Sequence, residues 1–331
     1  MLELRVCVLR RSSLIAAIIV ATLGLSHLAI AQPYPSKPVR ILVGYTPGGS
    51  NDVLARVVAK HFQDNWKQPF VVENKPGASG QIGSDAGAKA PPDGYTLVVI
   101  PNDVLTVQPH LYPKFPFDPV SDLEPIGTLG TVPIALIVNA SSPFKSVGDL
   151  IAAAKAKPGG LTYASSGAGG PQHMSAEMFN QLTGVKMVHV PYKGNAPALT
   201  DVLGGQVDLL FSPINSALPH IRAGTLRALA VASDQRVGSL PGMPTLAESG
   251  VPGYKSEIWI ALYAPAKTPK DIVDKIGAEL GRMQSQPDVK AQLNAQGIEP
   301  LTMTSSQIAS LINADSARWK KVIKDTGVKA D

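Results

Sequence analysis

Two short segments of this sequence carry residues whose types and spacing suit anion binding. The first is Tyr45-Thr46-Pro47-Gly48-Gly49-Ser50-Asn51-Asp52, set between an apolar β-type run and a helical pattern. Its paired glycines let the backbone turn sharply and come close to a ligand. Ser50, Asn51 or Asp52 can cap the helix that follows, leaving its other free N–H groups to face negative charge. In open α/β sheets such a loop lies at the carboxyl ends of the strands, where ligands bind. The same residues also suit a plain turn with a helix cap, and the missing Gly-Lys-Ser/Thr excludes a nucleotide P-loop. The second segment is Ser165-Ser166-Gly167-Ala168-Gly169-Gly170-Pro171, followed by a helix bearing His173, Met174 and Glu177. Two loops of one design, on separate blocks of the chain, can hold opposite ends of one small anion. Neutral N–H and O–H donors at a positive helix end suit a carboxylate without a buried cation.

Further polar residues stand near strand ends. Tyr192, in Val190-Pro191-Tyr192-Lys193-Gly194-Asn195, and Asn102, after the third strand, are candidate cleft residues. Lys193 reads either as a cation for the ligand or as a surface charge. Asp208 is expected to satisfy local backbone groups, and Trp259 to pack in the core. Ser165 or Ser166 beside His173 raises a serine hydrolase as an alternative, but no Gly-x-Ser-x-Gly elbow is present and spacing identifies no orienting acid. His61, His110, His173, His189 and His220 are scattered without metal-ligand spacing, and the single cysteine is Cys7. No metal, cofactor or catalytic residue is expected.

From Pro38 onward short apolar runs alternate with helical patterns, as in an α/β domain with a largely parallel sheet. Strands are expected over 39–45, 70–73, 96–100, 161–164, 187–190, 207–211 and 226–231. Helices are expected over 52–66, 80–89, 147–156, 172–182, 197–203 and 218–223. Leu54, Val57, Val58 and Phe62 illustrate the helical spacing. Two longer β-rich stretches, 126–139 and 256–265, join blocks that look complete alone. If both cross between lobes, one lobe comprises 32–130 and 256–331, the other 131–255, with a double-strand hinge between them. Helices over 270–283, 287–296 and 305–325 then wrap back over the first lobe.

The N-terminus orders basic residues (Arg5, Arg10, Arg11), an uncharged apolar run from Leu14 to Ile30, and a small-x-small site at Ala29-Ile30-Ala31. That order predicts a signal peptide over 1–31, cleaved near Ala31-Gln32. A retained anchor is the alternative, disfavoured by the turn-prone Gln-Pro-Tyr-Pro that follows. Losing Arg5, Arg10, Arg11 and Glu3 takes the net charge from +5 to +3. So mild a basicity argues against nucleic acid and is compatible with anionic ligands.

Several ordered motifs resemble the Bug-type solute-binding proteins of tripartite tricarboxylate transporters. They are Pro47-Gly48-Gly49 with Asp52 and Ala55-Arg56, Glu73-Asn74-Lys75-Pro76-Gly77-Ala78, and Pro92-Asp93-Gly94-Tyr95-Thr96-Leu97. Ser165 to Gly169 with His173, Val190-Pro191-Tyr192-Lys193-Gly194, Pro219-His220-Ile221 and Leu240-Pro241 continue the series. The resemblance implies a two-lobed type II periplasmic-binding-protein fold that closes over a small organic carboxylate. It implies that the loops matching Tyr45–Asp52 and Ser165–Gly169 hold the ligand through amides, hydroxyls and water. Di- and tricarboxylates, acidic amino acids and aromatic acids are all within its range. The implied partner is a membrane permease, with an extracytoplasmic sensor kinase as the alternative. Asn102-Asp103-Val104 departs from the small or hydroxyl residues common at that place, and an acidic Asp103 facing the cleft would repel a second carboxylate.

Overall fold

The computed structural model describes residues 34–329, so the signal-peptide reading and its cleavage site lie outside the described residues. Nine strands among those residues join in order β2-β1-β3-β9-β4-β7-β5-β6, with β8 also on β4. β1 (Val39–Val43), β2 (Phe70–Asn74) and β3 (Thr96–Pro101) are parallel to one another. β5 (Thr162–Ser165), β6 (Val188–Pro191) and β7 (Leu209–Pro213) form a second parallel set. Their apolar, β-branched runs are buried on both faces in the central strands, as parallel strands covered by helices must be.

The two sets meet through the expected long stretches, β4 (Leu123–Asn139) and β9 (Glu257–Pro265). These two strands are antiparallel to each other and to their other neighbours, so the sheet is mixed rather than uniformly parallel. β8 (Leu226–Val231) runs antiparallel to β4 as well. β4 pairs with β9 over its first part and with β7 and β8 over its second.

Strand direction fixes where the loops go. β3 opposes β9 and β9 opposes β4, so β1 to β3 run with β4; β7 opposes β4, so β5 to β7 run against it. The carboxyl ends of the two parallel sets therefore point at each other. Pro101, ending β3, lies level with Ile260 and so with Gly130. Pro213, ending β7, lies level with Ile134. Those positions are separated by four residues of β4, roughly 13 Å at about 3.3 Å per residue.

Helices cover both sets. α1 (Ser50–Trp66) buries Leu54, Val58 and Phe62, and α2 (Gln81–Ala88) lies close on β1 and β3. Two short turns not expected from sequence follow β3: α3 (Asn102–Thr106) and α4 (Gln108–Leu111). α5 (Val147–Ala156), α6 (Pro171–Thr183), α7 (Asn195–Leu203) and α8 (Ile214–Arg222) serve the second set. α9 (Lys270–Ser285), α10 (Pro287–Ala295) and α11 (Ser305–Thr326) complete the chain. The last helix does more than wrap the first set. Ile308 and Ile312 pack with Val98, Ile100 and Trp259, whereas Trp319, Val322 and Ile323 pack with Tyr163, Met174 and Phe179.

Candidate functional site

The loop between β1 and α1 is built around Asp52. Its carboxylate accepts from Gly48 N (3.0 Å), binds Arg56 Nε and Nη2 (2.9 Å each), and accepts from Asn74 Nδ2 (2.9 Å). Burial pushes this carboxyl up, but Arg56, the Gly48 N–H and Asn74 outweigh it and hold it below its ordinary value. Asn74 Nδ2 also donates to Tyr45 O (3.0 Å). Asp52 thus faces inward and shapes the loop, while Pro47, Gly48 and Gly49 are exposed and Ser50 and Asn51 half-buried. No side chain caps α1, whose N-cap is Gly49. Its first-turn amides have no intrahelical acceptor, and the helix end carries partial positive charge.

A third segment, quoted above only within the family motifs, completes this side. Gly77, Ala78, Ser79 and Gly80 all have positive φ, an arrangement that persists only where surroundings impose it. Here Ser79 O accepts from both Tyr45 Oη (3.0 Å) and Gln108 Nε2 (2.9 Å). Gly80 is obligatory beside them, since a Cβ would stand 2.8 Å from the Tyr45 ring. Gln108 Nε2 lies 3.4 Å from Asp103 Oδ2, and burial pushes the Asp103 carboxyl up to about 6. Burial, then the Asp103 charge, raises the Tyr45 hydroxyl well above its ordinary value. Asn102 is buried and donates through Nδ2 to Glu257 O (3.0 Å), the start of β9.

The loop after β5 rests on stacked rings. His173 and His189 lie 3.8 Å apart at 14°, with Tyr163 stacked on His189 at 5.0 Å. His173 Nδ1 accepts the Gly169 N–H (2.9 Å), which requires an unprotonated nitrogen; burial and the neighbouring His189 lower its pKa to about 3. Ser165 Oγ pairs with His189 Nε2 (2.6 Å) and donates to Gly167 O (3.0 Å). In place of the Ser–His173 pair that the hydrolase alternative would need, Ser165 pairs with His189. Ser165 is 0% exposed, its hydroxyl held between His189 and the Gly167 carbonyl. Ser166 N donates to Gln172 Oε1 (2.5 Å), and Gln172 Nε2 donates to Asn195 Oδ1. Tyr192 is half-buried; burial and its bond to Asp201 (2.5 Å) push its hydroxyl up to about 12. Lys193 is exposed, and Asp208 accepts from Thr162 N (2.7 Å), as expected of a residue satisfying local backbone. α6 and α7 start from Gly170 and Gly194 without side-chain caps.

Two contacts bring the sides together. Asn215 Nδ2, in the first turn of α8, donates to Ser50 Oγ (2.8 Å). Leu111 of α4 abuts Gly169, where an added Cβ would stand 2.4 Å from Leu111 Cδ1. Ser79, Gln108, Gln172 and Asn215 were not singled out from sequence. Isolated amides and hydroxyls at helix starts and in loops carry no periodic signal.

Two parallel strand sets joined through the long β4, with β9 between β3 and β4 and amide-rich loops converging at the junction, define a two-lobed type II periplasmic solute-binding protein. A family model described as the tripartite tricarboxylate transporter family receptor matches residues 54–328, and the chain belongs to that family. It is 37% identical over 316 residues to Protein BugT of Bordetella pertussis, covering 95% of this chain and 97% of that one. The structure of R. palustris Rpa4515 with adipate superposes with a TM-score of 0.82 at 35% identity, covering 90% of this chain and all of that one. MatC from Rhodopseudomonas palustris with bound malate gives 0.77 at 30% identity, covering 88% of this chain and 100% of that chain. The family is a receptor family, and the structure of the periplasmic binding protein BugD also superposes, with a TM-score of 0.78 at 33% identity, covering 90% of this chain and 100% of that chain.

Proposed function

We propose that the protein captures a small organic carboxylate between its lobes and presents it to the membrane permease of a tripartite tricarboxylate transporter. The observation that carries this reading is the opposed direction of the two parallel sets, which aims the carboxyl-end loops of both at the middle of β4. In this reading 32–130 with 256–331 is one lobe, 131–255 the other, and β4 and β9 are the hinge. Ligand that touches both lobes only when they are closed shifts the population toward closure. Adipate and malate in the related structures support a carboxylate ligand.

The donors assigned to the ligand are the first-turn amides of α1 with Ser50 and Asn51, and the Ser166 amide with the α6 end. Asp52, Ser165 and His173 act as supports for these loops, and Tyr192 and Asn102 flank them. At Ser166 N a ligand oxygen takes the place of Gln172 Oε1. Export places the mature chain, starting near Gln32, in the periplasm.

Titration of the purified mature chain with dicarboxylates tests the reading, by calorimetry and by the rise in apparent stability that a native-state ligand causes. Gly49→Val is the matched variant: Gly49 has ordinary φ (−78°), and its added Cβ would meet only Thr46 O at 3.9 Å. Stability should stay within about 0.5 kcal/mol of wild type, while carboxylate binding is lost. Normal binding by this variant would remove the first loop from the site.

A further inference from the structure

At the carboxyl end of β3 the hydrogen-bonding sense of the site reverses. Gln108 Nε2 faces two acceptors, Ser79 O and Asp103 Oδ2, which fixes its amide so that Oε1 is the acceptor left over. Asn102 Nδ2 donates to Glu257 O, which leaves Oδ1 over in the same way. Both leftover oxygens are buried and without a donor, on residues that are 2% and 4% exposed. Asp103 stands with them at 5% exposed, and among the described residues no Lys, Arg or His forms an ion pair with it. Buried acceptors are normally matched, and a buried carboxylate normally has a counter-charge. Here the two amide oxygens have no donor, and the carboxylate, which accepts from Gln108 and from the backbone N–H groups of Asp103 and Val104, has no counter-charge.

The position of this group gives the unmatched acceptors a purpose. Gln108 stands one turn before Leu111, the residue against Gly169 of the opposite loop, and shares Ser79 O with Tyr45 of the near loop. α4 thus runs between the two donor loops, with Gln108 at the near one and Leu111 at Gly169 of the other, and Asn102 and Asp103 precede it on α3. We propose that Asp103, Gln108 and Asn102 select a ligand bearing a protonated amine beside its carboxylates, an amino dicarboxylate, by receiving its ammonium group. The inference rests on the carboxylate reading of the cleft. The loops bind the ligand's oxygens, and this wall supplies the acceptors and the negative charge that an ammonium needs. A plain dicarboxylate would leave the acceptors unmatched on closure and set its own charge near Asp103. Parting of the lobes uncovers the wall for loading.

The test uses acids that share a carbon skeleton and differ at one substituent: succinate, malate and aspartate; glutarate, 2-hydroxyglutarate and glutamate; adipate, 2-hydroxyadipate and 2-aminoadipate. Calorimetry on the mature chain should show the amino member binding at least about tenfold tighter than its plain and hydroxy partners in the best-fitting series. Asp103→Asn should erase that preference and tighten the plain acid, a reversal that general damage to the fold would not produce. Gln108→Met, similar in shape and lacking the acceptor, should also weaken the preference and serves if the first variant fails to fold. Equal or tighter binding of a plain or hydroxy acid, or a preference untouched by both variants, overturns the inference. In that case plain-acid binding that disappears in Gly49→Val leaves the carboxylate reading standing. A wild-type chain that binds no acid of the panel overturns both.

Discussion

Protonation of His173 should unfasten the second loop, and the resulting pH dependence can be worked out in advance. Nδ1 of this buried ring accepts the Gly169 N–H, and the ring is stacked on His189 with Tyr163 beyond. A folded-state pKa lowered from 6.5 to about 3 means that the unfolded chain takes up a proton more readily than the native one. Stability from this group is therefore complete above the unfolded value and is lost as pH falls from 6.5 toward 3. Between pH 8 and pH 5 linkage gives a loss of about 2 kcal/mol. Asp103 works in the opposite sense, because its raised pKa relieves a burial cost on acidification by about 1 kcal/mol over the same interval. The wild-type curve alone would mix the two. His173→Asn separates them, since its amide oxygen can still accept from Gly169 but does not titrate. Urea unfolding of both ligand-free proteins at pH 8 and pH 5 should show the difference between them shifting by about 2 kcal/mol in the variant's favour at low pH. Parallel curves would refute the claim that His173 is held neutral by its surroundings.

Asn215→Ala removes the donor to Ser50 Oγ, one of the contacts joining the lobes. A neutral hydrogen bond of about 1 kcal/mol lost from the closed state should weaken carboxylate affinity about fivefold without altering ligand-free unfolding; unchanged affinity would mean that the bridge contributes nothing to closure. Trp259→Phe takes the donor from buried Asp315 Oδ2, which Nε1 meets at 2.9 Å, while Arg318 still holds Oδ1. Chemical unfolding should register a loss of about 1–3 kcal/mol with ligand affinity preserved, and a wild-type midpoint would show that the Asp315 oxygen finds another donor.

Much of the framework was legible because it is periodic. Leu54, Val57, Val58 and Phe62 mark α1, and the structure starts that helix at Ser50, two residues before the expected Asp52. The expectation for α8 started four residues late, because Pro213-Ile214-Asn215-Ser216 reads as a turn while Ile214 in fact opens the helix from the β7 end. α3 and α4 were missed for a related reason: five and four residues, with Pro109 in the second, are too short for a helical period to register. Side-chain roles were less legible than positions. Asp52 was read as a cap or ligand contact, yet its oxygens are occupied by Arg56, Asn74 and Gly48; two of these partners are local and the third lies on β2. Ser165 stands eight residues before His173 in sequence, but parallel pairing of β5 with β6 brings His189 to it instead. Such pairings depend on strand order, which local spacing does not encode.

The same dependence explains why uncapped helices are not in themselves a sign of a binding site. α5 and α11 begin with capping boxes, Ser146 with Asp149 and Thr304 with Gln307, whereas α1, α6, α7 and α8 begin on Gly49, Gly170, Gly194 and Pro213 with no side-chain cap. A missing cap costs about 1 kcal/mol relative to Ser or Asp, so four of them could suggest amides kept open for a ligand. Yet α9 and α10 also lack side-chain caps. α9 follows Pro265, which pairs with Leu123 at the far end of β4 from Gly130 and Ile134, so its amides open away from the cleft. What sets the starts of α1, α6, α7 and α8 apart is the reversal of strand direction along β4, which gathers them around the same short length of strand. Residue type leaves these helix starts without side-chain caps, and topology brings them to one place.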